Sequence, residues 1–106
     1  MTHYRSGADF ERATRHHLES DGYDVIRSAG SKGKVDLLAF KPGQILAIQC
    51  KTSGLCPPAE RTELIRIARI LGALPIVAAR PLGTYRLLTG VGPEEWVRWT
   101  PDEVAA

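Results

Sequence analysis

Cysteine is scarce in this sequence, and the two present, Cys50 and Cys56, form neither a CxxC pair nor a disulfide framework. A zinc ribbon and a disulfide-stapled secreted fold are both excluded, and both residues read as reduced thiols. Long apolar runs are missing as well. Nothing approaches the roughly 18 residues a membrane helix needs, and no signal-peptide pattern opens the chain. A cytoplasmic location is the expectation. Internal repeats and low-complexity segments are also absent, which removes solenoids and linkers. What remains is one expected domain over residues 1–106, with 43% apolar and 25% charged residues. That length supports one core, not two.

Charge is modest but uneven. Residues 1–92 carry 13 Lys/Arg against 8 Asp/Glu, whereas the last 14 carry 1 against 4. A basic body of about residues 5–90 with an acidic tail over 93–106 suits a polyanionic partner. Charge alone does not identify that partner.

Punctuation and periodicity give the elements. Ser6-Gly7-Ala8-Asp9 resembles a capping box, and Gly22 is a natural helix stop. Between them Phe10, Ala13, Thr14, His17 and Leu18 form one stripe, with Arg12, Arg15, His16 and Glu19 opposite. Tyr23–Ser28 reads as a strand with Val25 and Ile26 inside, and residues 29–34 as a flexible basic loop. Val35–Phe40 and Ile45–Lys51 are strands joined by a Pro-Gly turn, apolar on both faces and therefore central. A helix follows over Glu60–Leu71, with Leu64, Ile67, Ala68 and Leu71 on one face. The buried strand Leu74–Ala79 after it implies a parallel crossover, and Tyr85–Thr89 is a further strand. The order α-β-β-β-α-β-β predicts an α/β fold, a mixed sheet flanked by helices. Trp96 and Trp99 near the end serve either an interface or the core, and Val91 with them.

Three polar residues interrupt the hairpin. Gln49 and Lys51 share a face because strand side chains alternate, and the turn brings Asp36 beside them. An unpaired carboxylate and ammonium in a dry interior would cost several kcal/mol each. They either pair structurally or line a cleft at the sheet edge. Glu11, about 100° from Phe10 on the helix and close to Leu18, can lean over the same region. Three oxygen ligands, from Glu11, Asp36 and the Gln49 amide, beside Lys51 favour a hard cation such as Mg²⁺, and the Cys50 backbone carbonyl can add a fourth. His16-His17 is no metal pair, since neighbouring helical residues point about 100° apart.

The ordered set FE (10–11), RSAGSKGKVD (27–36) and IQCK (48–51), continued by GALPIVAARP (72–81), resembles the archaeal-type Holliday junction resolvases. These are restriction-endonuclease-like nucleases with a PD…(D/E)xK core, and their phage-encoded members are similarly short. The resemblance implies a restriction-endonuclease-like fold, a homodimer acting on branched DNA, and phosphodiester hydrolysis with Mg²⁺ or Mn²⁺. It assigns metal binding to Asp36, Gln49 and Glu11 and phosphate chemistry to Lys51. It also matches the family's functional loop serine to Ser31, with Ser28 second. Arg5, Arg12, Arg15, Arg27, Lys32 and Lys34 become phosphate contacts, since a junction is recognised by shape. Val35 replaces the usual Pro, and Gln49 replaces a usual Asp or Glu, removing one negative charge. Two alternatives accompany this reading: another nuclease on the same core, of mismatch-nicking or restriction type, and a non-catalytic junction-binding protein. Nothing resembling a target-recognition domain is present, which counts against restriction.

Overall fold

The computed structural model describes residues 6–28 and 35–101. Helix α1 spans Gly7–Ser20, followed by β1 (Asp24–Arg27), β2 (Leu37–Lys41) and β3 (Gln44–Cys50). Helix α2 spans Pro58–Leu71, and β4 (Leu74–Ala79), β5 (Thr84–Leu88) and β6 (Trp96–Trp99) complete the chain. The strands form one sheet in sequence order, β1 to β6. Every neighbouring pair is antiparallel except β3–β4, which is parallel, as the intervening helix requires.

Local chemistry accounts for each helix. The Ser6 side chain caps α1 by accepting from the Asp9 N–H at 3.3 Å. Phe10, Thr14 and Leu18, four residues apart, bury its inner face. Pro58 opens α2 where its missing N–H costs nothing. Gly72 closes α2 in the left-handed conformation, at φ 68°, with its N–H on the Ala68 and Arg69 carbonyls.

The sheet alternates its side chains between its two faces, and each face packs against one helix. Leu37, Leu46, Ile48 and Ile76 face α1 with Phe10 and Leu18. Ala47 and Val77 face α2 with Leu64 and Ala68. Residues 46–49 of β3 are all buried, so the expectation of a central strand holds.

Several boundaries differ from expectation for identifiable reasons. Strand β2 begins at Leu37, not Val35, because the chain bends at Asp36. Ile26 is 54% exposed rather than inside, since β1 is an edge strand and only Val25 packs on the α1-side core. Leu71 is likewise exposed, at the last turn of α2. The expected order of elements is complete and gains a sixth strand, β6. Trp99 on it is buried edge-to-face against Tyr85, whereas Trp96 lies under the Arg86 guanidinium. Both tryptophans therefore cover the sheet.

Candidate active site

Asp36 sits at the bend between β1 and β2 and is fixed three times over. Its N–H donates to the Ile48 carbonyl at 2.8 Å, and its own carbonyl accepts from the Ser28 N–H at 2.9 Å. Its Oδ2 accepts from the Cys50 N–H at 2.8 Å. Backbone bonds thus aim the carboxylate at the end of β3, so one rotamer is favoured before any ligand arrives.

Lys51 is the next residue out of β3. Its N–H donates to the Ala78 carbonyl of β4 at 2.8 Å, which fixes the root of the side chain. Its Nζ lies 2.6 Å from Glu60 Oε1, on the first turn of α2. Gln49 is 1% exposed, two residues earlier on the same strand. On the other side of the sheet Glu11 Oε1 accepts from Arg27 Nε at 2.6 Å, joining α1 to edge strand β1.

Electrostatics separate the charged groups of the cluster. Burial pushes the Asp36 carboxyl above its ordinary value. The Cys50 N–H and the Lys51 charge pull it down, while Glu11 and Glu60 push it up further. Lys51 moves upward chiefly through its contact with Glu60, so its side chain is an ammonium throughout the neutral range. It cannot serve as a base there; it can only neutralise and orient. The Cys50 thiol is driven up by burial and by Asp36, which keeps it a neutral, inert thiol.

The expected site residues divide clearly. Asp36 and Lys51 come together as expected, but the close partner of Lys51 is Glu60, not Asp36. Glu11 is within electrostatic reach of Asp36 while paired with Arg27. Arg12, Arg15 and Arg27 line one cleft with Glu11 and Leu37, of about 90 Å³. Arg12 also pairs with Asp9 at 3.1 Å. Ser28 serves Asp36 through its main chain. Arg5, Ser31, Lys32 and Lys34 lie outside the described residues. His16 and His17 take separate partners, Glu19 at 3.3 Å and Tyr85 at 3.0 Å, as the helical angle dictates. Glu60 was not singled out by sequence reasoning. It lies nine residues beyond Lys51, at the start of a helix whose pattern explains it fully, and only the fold brings it back.

Comparison with known proteins identifies the family. A family model described as archaeal Holliday junction resolvase (Hjc) matches residues 2–96. The crossover junction endodeoxyribonuclease Hjc of Methanocaldococcus jannaschii is 42% identical over 81 residues, 73% of this chain. The match spans only 60% of that relative's length. The structure of Hjc from Archaeoglobus fulgidus, a Holliday junction resolvase, superposes with a TM-score of 0.65 at 26% identity. That alignment covers 91% of this chain and 84% of the other. The family model covers most of the sequence, and the chain belongs to the archaeal Holliday junction resolvase (Hjc) family.

Proposed function

We propose that this chain is a metal-dependent, structure-selective endodeoxyribonuclease that resolves four-way (Holliday) DNA junctions by paired phosphodiester cleavage. The observation that carries this reading is the Asp36 carboxylate, locked by the Cys50 N–H and crowded electrostatically by Glu11 and Glu60. Partly buried negative charge of this kind is relieved by a cation. The nearby donors are all oxygen, which suits Mg²⁺, with Mn²⁺ as a substitute. Among the described residues no three His, Cys, Asp or Glu side chains gather closely enough to enclose an ion. The fit is therefore to a cation held by few protein oxygens and completed by water, as Mg²⁺ prefers. Asp36, Gln49 and the Cys50 carbonyl would hold it, with Glu11 near by on α1. Such an ion supplies Lewis-acid polarisation of the phosphate and an acidified water.

The remaining work falls to this chain's own groups. The Lys51 ammonium neutralises charge developing on the scissile phosphate. Arg12, Arg15 and Arg27 in their cleft, with Arg5, Lys32 and Lys34, hold flanking phosphates and set register without reading sequence. Ser31 in the loop before Asp36 is the candidate loop serine. The chain acts as one nuclease domain in the cytoplasm, and a homodimer places two such sites to nick two strands of one junction. Gln49, neutral where a carboxylate is usual, keeps a second reading in view: a junction-binding protein without cleavage. Incubation with four-way, duplex and single-stranded DNA, in Mg²⁺ or EDTA, decides between them. Paired nicks in the four-way substrate alone, dependent on Mg²⁺, are expected. Cleavage of plain duplex indicates another nuclease on this fold, and tight junction binding without nicks indicates the non-catalytic protein.

A further inference from the structure

Lys51 has a fixed root and a free stem. Its N–H is held by the Ala78 carbonyl, and its carbonyl accepts from the Gly54 N–H at 2.7 Å. The four-carbon chain beyond is flexible and rich in rotamers. Glu60 supplies the restraint at 2.6 Å. Its Oε1 is shielded from solvent, although the Lys51 and Glu60 side chains as wholes are 28% and 31% exposed. Glu60 itself is favoured where it stands, because a carboxylate in the first turn of α2 complements the helix dipole. The same carboxylate also acts on Asp36 through space.

We infer that Glu60 is a positioning residue for strand cleavage, holding the Lys51 ammonium beside Asp36 where the scissile phosphate is to lie. Only the 14-residue helix α2, packed across the sheet from α1, places it there. Glu60 also returns to this end of the sheet one negative charge of the kind that Gln49 lacks. The inference rests on the nuclease reading above, and its test keeps the two apart.

Single-turnover cleavage and binding of a labelled four-way junction are measured for wild type, Glu60→Ala and Glu60→Gln. Glu63→Ala, one turn along α2 and paired on the surface with Arg66, is the control. The reactivity of the Lys51 amine towards reductive methylation is followed by mass spectrometry on the same proteins. Both Glu60 variants should slow cleavage by about 10- to 100-fold, with junction affinity within about twofold, and Lys51 should methylate faster. Glu60→Gln keeps the shape of the side chain should Glu60→Ala prove unstable, and Glu63→Ala should match wild type. Wild-type cleavage rates in both Glu60 variants overturn the inference. So does slowed cleavage with unchanged Lys51 reactivity, or an equal loss of affinity. A wild-type protein that binds junctions but never cuts them overturns the nuclease reading and this inference with it.

Discussion

Asp36 bears the electrostatic burden of the site. A carboxyl raised in the folded state binds its proton more tightly there than in the unfolded chain. Stability is then greatest below the ordinary value of 3.8 and is lost as pH rises through the folded value. Above the folded value the loss is complete. Asp36→Asn, whose amide oxygen can still accept from the Cys50 N–H, should therefore raise the thermal midpoint by a few degrees at pH 7.5. The gain should vanish as pH falls towards 4. Calorimetry at the two pH values checks this, and a lower midpoint for Asp36→Asn at pH 7.5 would count against it. Gln49 tests the other side of the balance. Gln49→Glu adds a charge at nearly constant shape, so the Mg²⁺ concentration for half-maximal cleavage should drop, although the new carboxyl will itself be raised by burial. Gln49→Leu keeps the bulk, deletes the oxygen and should abolish nicking. If Gln49→Leu cuts normally, Gln49 is packing alone. As candidates, Asp36, Gln49 and Lys51 were legible in the sequence because polar residues at fixed spacing in an apolar hairpin are anomalous. Glu60 was not, because an acidic residue opening a helix needs no other explanation.

At the scale of elements, β3 carries both the core and the site. Ile48 is fully buried, faces α1, and its carbonyl holds the Asp36 N–H. Ile48→Ala should cost about 2–5 kcal/mol of stability, read by urea unfolding. A cost below about 1 kcal/mol would show that the sheet relaxes around the loss. The strand and helix interiors were readable because their apolar periods are unambiguous. Strand β6 was not, since Trp96 and Trp99 are three apart and face opposite sides of the sheet. A short strand with one tryptophan on each face shows no alternation, and its spacing imitates a helix. The late start of β2 was hidden for a different reason. The bend that aims Asp36 is set by backbone bonds to Ile48 and Ser28, and no side-chain pattern records those.

At the scale of the whole molecule, the proposed function depends on where the cations gather. Arg12, Arg15 and Arg27 share one cleft, with Arg27 tied to Glu11. If that cleft seats phosphates, junction affinity falls steeply with salt. Arg15→Ala/Arg27→Ala should then weaken binding to every junction sequence alike and flatten the salt dependence by up to about two phosphates' worth. Anisotropy titrations across salt concentrations show this, and a loss confined to one sequence would mean the cleft reads bases instead. No helix of the described residues is long and apolar enough to cross a membrane. If affinity comes from these cations while cleavage depends on Asp36, one substitution separates the two. The most direct test is cleavage and binding of one labelled four-way junction by wild type and Asp36→Asn in Mg²⁺. Cleavage should fall by more than about 100-fold, with binding unchanged or slightly tighter as one negative charge is removed. Normal nicking by a clean Asp36→Asn preparation would contradict it.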